Sequence, residues 1–311
     1  MGAEPGQIVV GVSPPEDRHN VQGSASLRPG SPAALSVRGL VKWFGSTPAV
    51  AGVDLEVAPG SFYGLIGPNG AGKSTTLAMI TGLLRPDAGT VQILGMDVWR
   101  QPVEVRRRIG VVTETLNLFE RLSGAEVLEY SGLLRGMDAA TIAQRRGDLL
   151  EVMDLGDAAG TLVVDYSQGM RKKVALASAL IHGPDVLFLD EPLESVDPVS
   201  SRTIREVLQR YTASGATVVF SSHVMAAVES MCDHVAVLVA GRVLASGPTR
   251  VVRGDAASLD EAFLAMVGSP RLGTGSLDWL NQRASASVTP PSPPPPRLPP
   301  PPLPPSPPPT G

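Results

Sequence analysis

The stretch Gly67-Pro68-Asn69-Gly70-Ala71-Gly72-Lys73-Ser74-Thr75 has the residue types and spacing to hold a polyphosphate. It fits the pattern G-x-x-x-x-G-K-[ST]. Glycine permits positive φ and lets the backbone approach a ligand closely. Such a loop turns several N–H groups, and the positive end of the helix that follows, toward one point that suits an oxyanion. Lys73 adds a point charge for β- and γ-phosphates, and Ser74 offers a hydroxyl to Mg²⁺. The bland alternative is a chance match in a Gly-rich chain, and the flanks argue against it. Ser61–Ile66 reads as a buried strand, and Thr76–Ile80 reads as an apolar helix that stops at Gly82.

A second candidate lies far downstream, where Asp190 and Glu191 follow the apolar run Val186–Leu189. In a nucleotide site, an Asp at a strand end can hold Mg²⁺ through water. The Glu after it can polarise an attacking water. Two acids at a strand end are otherwise a turn or a helix cap, and the upstream loop weighs against that reading.

These residues need a frame. Val186–Leu189 is apolar throughout, as a strand buried on both faces of a parallel sheet must be. Ile109–Val112 and Ala216–Phe220 read as further strands, and Ala236–Val239 with Val243–Ala245 as a hairpin turned at Ala240-Gly241. Ala34–Leu40 and Ala51–Val57 alternate like half-buried strands, and Thr90–Leu94 joins them in an antiparallel sheet beside the nucleotide core. From about Glu114 to Gly160 the pattern turns helical. Further helices are expected over Gln168–Leu180, from Pro198, near Met225 and over Ser258–Val267. The charge runs Arg106–Arg108 and Arg171–Lys173 read as solvated faces.

Composition narrows the class. With 311 residues and 43% hydrophobic content the core is ample, but aromatics are only 4%, so Ala, Val and Leu must fill it. A net charge of −4 argues against a nucleic-acid surface as the main partner. The single cysteine, Cys232, excludes an internal disulfide and any cysteine-only metal site, and is compatible with a cytoplasmic compartment. No apolar run approaches the ~18 residues that span a bilayer, so any membrane role goes through a partner. Residues 1–33 read as a disordered extension in which only Gln7–Val12 looks able to pair as a strand. Residues 269–311 read as a disordered linker and a tail that holds half of the chain's 30 prolines, which favours polyproline II.

Between the two candidate sites lies Tyr166-Ser167-Gln168-Gly169-Met170, leading into an apolar helix. This resembles the signature motif, LSGGQ, of ATP-binding cassette (ABC) proteins. The resemblance runs in family order over roughly residues 34–268. Gly67–Thr75 matches Walker A and Leu187–Glu191 matches Walker B. Glu194–Asp197 sits at the D-loop, and Ser221-Ser222-His223 at the switch histidine. Phe44 falls where the family places an aromatic under adenine, with Trp43 a close competitor.

The resemblance implies an α/β fold: a P-loop NTPase (RecA-like) core with an antiparallel β subdomain and an α-helical subdomain over about 114–180. It implies ATP and Mg²⁺ as cofactors, with Ser74, Glu114 and Asp190 on the metal. Glu191 would be the base, His223 the γ-phosphate sensor and Lys73 the phosphate clamp. Two cassettes would close head to tail, with Ser167, Gln168 and Gly169 of one facing ATP on the other's loop and Asp197 coupling them. One chain carries one cassette, so a second cassette and a separate integral membrane permease are implied partners. The chain would then sit in the cytoplasm, at the inner face of the cell membrane. The likeness is greatest to cassettes of ABC-2-type exporters. A soluble ABC ATPase acting on nucleic acid or ribosomes is a second reading, and an adaptor cassette using its proline-rich tail a third. There are two departures from the family pattern. Thr113-Glu114 replaces the usual Gln after Ile109–Val112, and Gln168 and Met170 replace a Gly and a Gln of the signature.

Overall fold

The structure is a computed structural model that describes residues 33–268. The expected strand at Gln7–Val12 and the proline-rich tail lie outside the described residues. In chain order come β1 (Leu35–Phe44), β2 (Thr47–Val57), β3 (Phe62–Ile66), α1 (Lys73–Ile80), β4 (Ala88–Ile93) and β5 (Met96–Asp97). Next are α2 (Pro102–Arg108), β6 (Ile109–Val112), α3 (Gly124–Leu134), α4 (Ala139–Val152), α5 (Gln168–Leu180) and β7 (Val186–Asp190). Then follow α6 (Pro198–Ala213), β8 (Thr217–Ser222), α7 (Met225–Met231), β9 (His234–Val239), β10 (Arg242–Pro248), α8 (Thr249–Arg253) and α9 (Leu259–Val267).

Six strands form the central sheet, in the order β10-β9-β3-β8-β7-β6. All neighbours there are parallel except the terminal hairpin β9–β10. Strands β3, β6, β7, β8 and β9 are buried on both faces, to which their successive side chains point in turn. In β7, Leu187 and Leu189 join one apolar cluster while Val186 and Phe188 join the other. β8 and β9 divide in the same way, with Val218 and Phe220 against Val219, and Val235 and Val237 against Ala236 and Leu238. Full burial of one such side chain contributes roughly 1.5–3 kcal/mol. One cluster packs under α3 and α5, the other under α1 and a separate four-stranded antiparallel sheet, β2-β1-β4-β5.

Five of the described helices start at a side-chain cap. Ser123 and Glu126 form a reciprocal capping box at α3. Asp138, Ser167, Asp197 and Ser258 cap α4, α5, α6 and α9. One expectation is corrected here. The residues from Glu114 to Leu122 are not helical; helix begins only at Gly124. Leu118 and Leu122 in that segment pack against the core, so apolar spacing there reflects an irregular segment anchored at intervals.

Candidate functional site

The parallel ladder brings four loops to one edge. Ile66 of β3 pairs with Ser222 of β8, Asp190 of β7 with Ser221, and Val112 of β6 with Leu189. The four strands therefore end level, and the residues after them, Gly67, Thr113, Glu191 and His223, leave the sheet side by side. In open α/β sheets this edge, at the carboxyl ends of the strands, is where ligands bind.

The first loop is packed too tightly for side chains. A Cβ on Gly72 would meet the Ala49 carbonyl at 2.4 Å, and its φ of +99° is one that other residues rarely adopt. A Cβ on Gly67 would meet the Leu238 carbonyl at 2.1 Å. The loop wraps Lys73, the first residue of α1, whose Nζ donates to the carbonyls of Gly67 at 2.9 Å and Pro68 at 3.3 Å. Lys73 is buried, and its third neighbour is Glu191 Oε1 at 3.4 Å.

Glu191 leaves β7 with φ +47°, a left-handed conformation that costs about 1–3 kcal/mol outside glycine. Its N–H donates to Ser221 Oγ at 3.1 Å, and Ser221 Oγ in turn donates to Asp190 Oδ1. His223 stands on the far side, with Nδ1 3.1 Å from Glu191 Oε2. That ring nitrogen approaches the carboxylate off the hydrogen-bonding direction and has no hydrogen-bond partner. One carboxylate thus lies between a lysine and a histidine.

A cavity of about 440 Å³ opens over this group. Asn69, Gly70, Gly72, Lys73, Ser74 and Thr75 form its floor, and Phe44, Glu114, Glu191 and His223 its sides. Phe44 and Trp43 are both half exposed, but only Phe44 borders the cavity. Gly67, Pro68 and Ala71 lie outside its lining, although the Gly67 and Pro68 carbonyls bind Lys73. An adjoining cavity of about 270 Å³ is bordered by Ser74, Glu114 and Asp190 together. One hydroxyl and two carboxylates at a phosphate-binding loop fit Mg²⁺ in the form that takes its remaining ligands from phosphates and water. Among the described residues, no group of three or more His, Cys, Asp or Glu forms an all-protein metal cage.

Ser167, Gln168, Gly169 and Asp197 border neither cavity. They meet at a second cluster, where α5 and α6 begin. Ser167 Oγ accepts from Met170 N–H at 3.2 Å, and Asp197 Oδ1 from Ser200 N–H at 2.9 Å and Val199 N–H at 3.0 Å. Bonds from Ser200, then from Val199, hold the Asp197 carboxyl below the usual carboxylate range. A Cβ on Gly169 would sit 2.6 Å from Asp197 Oδ2, so the two helix starts touch through a glycine.

The sequence reading of Arg171–Lys173 as a solvated face is corrected. Arg106–Arg108 are exposed as expected, but Lys172 and Lys173 are buried. Lys172 Nζ donates to the Glu191 carbonyl, and Lys173 Nζ to the Asp154 carbonyl at 3.3 Å. Burial pulls the Lys172 ammonium below the ordinary lysine range, opposed by the carboxylates of Glu194, Glu191, Glu114 and Asp190. Sequence reasoning also passed over Glu194 as a cavity residue, and Ser221 as the link between Asp190 and Glu191. Ser221 could have been found, since it lies next to the end of the strand that leads to His223.

A parallel sheet whose glycine loop runs from β3 into α1, with an acidic strand end two strands away, defines a P-loop nucleoside-triphosphatase core. Comparison with known proteins narrows this. Residues 50–194 match the ABC transporter family. The chain is 41% identical over 216 residues to the daunorubicin/doxorubicin resistance ATP-binding protein DrrA of Streptomyces peucetius, covering 70% of this chain and 66% of that one. It is 40% identical over 215 residues to the Nod factor export ATP-binding protein I of Cupriavidus metallidurans, covering 69% and 71%. A solved structure of the ATP-binding subunit of an ABC transporter superposes with a TM-score of 0.71 at 31% identity, covering 75% of this chain and 99% of that one. The alignments span about two thirds of the length of these curated relatives. The chain belongs to the ABC transporter family, as an ATP-binding ATPase cassette.

Proposed function

We propose that two cassettes, this chain with a copy or a close relative, close head to tail on ATP and drive export through a separate membrane permease. The observation that carries this reading is the cavity bordered at once by Lys73, Ser74, Glu114, Glu191 and His223. Lys73 holds the β- and γ-phosphates, with the loop N–H groups of Gly70 and Gly72 around them. Glu191 takes the proton of the attacking water, and His223 orients the γ-phosphate. Phe44 stacks on adenine. Ser74, Glu114 and Asp190 would hold Mg²⁺, which when bound neutralises charge on the phosphates. Ser167 and Gly169 lie apart from their own chain's cavity, and this supports their serving ATP on the partner cassette, with Gln168 beside them and Asp197 between the two.

The cassette is residues 34–268, and its helical subdomain, about 114–180 with helix only from Gly124, meets the permease. No described helix is long and apolar enough to cross a membrane, so the permease would hold the cassette at the inner face. Two relatives named for drug resistance and Nod factor export support outward transport.

The test uses Glu191→Gln in the full chain. Hydrolysis should fall about 100-fold or more, the scale of a lost general base, with ATP affinity kept. With ATP and magnesium the variant should associate into pairs by light scattering. Wild-type hydrolysis by this variant, or failure to pair even beside its permease, would overturn the reading.

A further inference from the structure

Glu191 follows the last residue of β7 in a left-handed conformation and is buried, so its peptide groups need partners away from the sheet. Two elements supply them. Ser221 of β8 accepts from its N–H at 3.1 Å. Lys172 of α5 donates to its carbonyl, which also receives the Glu194 N–H at 3.3 Å. Lys172 is only 9% exposed. A buried ammonium is costly unless it meets acceptors, and the Glu191 carbonyl is the acceptor it meets. An apolar side chain would fill the same helix position without that cost.

We propose that Lys172 is a positioning residue for Glu191: its ammonium holds the glutamate's carbonyl, and so keeps the carboxylate aimed between Lys73 and His223. The inference rests on the reading of this cavity as the ATP-hydrolysing site. It also joins the two clusters within one chain. Lys172 lies little more than one helical turn along α5 from Ser167, the residue that caps it. A shift of the α5 start therefore reaches the Glu191 main chain through one side chain.

The test compares wild type, Lys172→Met, Lys172→Arg and Glu191→Gln in the full-length chain. Steady-state ATP hydrolysis with magnesium, equilibrium ATP binding and thermal unfolding are measured for each. Lys172→Met should lower kcat about 10- to 100-fold, the scale of a misplaced catalytic group, with KM and ATP affinity nearly unchanged. Lys172→Arg, which keeps a donor within reach of the carbonyl, should recover most of kcat. A Met variant with wild-type kcat overturns the proposal, and so does one that loses ATP affinity in step with kcat. If the Met variant does not fold, Lys172→Leu, which also lacks a donor, is read by the same criteria. If both fail to fold while Arg folds, the residue is structural and the proposal falls. Equal hydrolysis by wild type and Glu191→Gln would instead sink the functional reading, and this inference with it.

Discussion

Lys73 Nζ lies 3.4 Å from Glu191 Oε1, and both side chains are almost wholly buried. The pair joins the start of α1 to the end of β7. Phosphate oxygens arriving at Lys73 compete with Glu191 for the same ammonium, so nucleotide binding and release of the glutamate are coupled through one cation. Removing that cation leaves the carboxylate buried without its closest cation, beside His223. Lys73→Met should therefore abolish ATP binding and also destabilise the chain without nucleotide. Breaking a buried pair costs at most ~3–5 kcal/mol, and less where the carboxylate can protonate. Urea unfolding without nucleotide checks the second effect and a fluorescent ATP titration the first. A variant as stable as wild type would show that the pair contributes nothing to the fold.

Glu114 borders both cavities and is exposed. Gln at this position keeps an oxygen for Mg²⁺ but loses the charge. Glu114→Gln should keep kcat within a few-fold at saturating magnesium, while the magnesium concentration for half-maximal activity rises. Magnesium titration of ATPase activity checks this. A dead enzyme with intact ATP binding would mean that the carboxylate itself is required.

What was legible in the sequence was local. The loop Gly67–Thr75 announces itself because strand, glycines and helix are contiguous, and β7 because four apolar residues precede two acids. The cap of α5 by Ser167 is equally local, because a cap acts within three residues. What stayed hidden depends on distant partners. Three cations in a row read as a surface, yet α5 turns Lys172 and Lys173 inward to carbonyls at Glu191 and Asp154. No signal near residue 172 announces an acceptor at residue 191. The stretch from Glu114 to Leu122 failed in the opposite way, because apolar residues at helical spacing were anchored by tertiary contact without forming a helix. The two-residue strand β5 exists only because β4 lies beside it.

Gly169 sits where α5 and α6 meet. A Cβ there would lie 2.5 Å from Ser200 Oγ and 2.6 Å from Asp197 Oδ2. Asp197 caps α6 through its other oxygen, Oδ1, so the carboxylate cannot swing away without losing that cap. Gly169→Ala should destabilise the chain by about 1–3 kcal/mol, the range for overpacking. ATPase activity should fall while ATP binding by the isolated cassette holds, because the Lys73 loop is untouched. Chemical denaturation and a nucleotide titration together test this. Loss of ATP binding in step with activity would contradict the separation of the two clusters.

His182 gives the fold a pH dependence independent of the nucleotide site. Its Nε2 lies 3.0 Å from the Ile109 carbonyl, and its Nδ1 is buried without a partner. Burial, then the nearby Arg135, pulls its pKa down to about 4. An unfolded histidine titrates near 6.5. Between these values the unfolded chain binds a proton that the folded chain refuses, so this site's contribution is complete above about pH 6.5 and declines as pH falls toward 4. His182→Gln can keep a donor to the Ile109 carbonyl but has no proton to gain. The loss of unfolding free energy between pH 7 and pH 5 should therefore be smaller in the variant than in wild type, as read by urea denaturation at both pH values. An identical loss in the two proteins would place the acid sensitivity elsewhere, though not in the Asp197 cap. That carboxyl is held below its ordinary range, so its contribution is complete above about pH 4 and is lost only at lower pH.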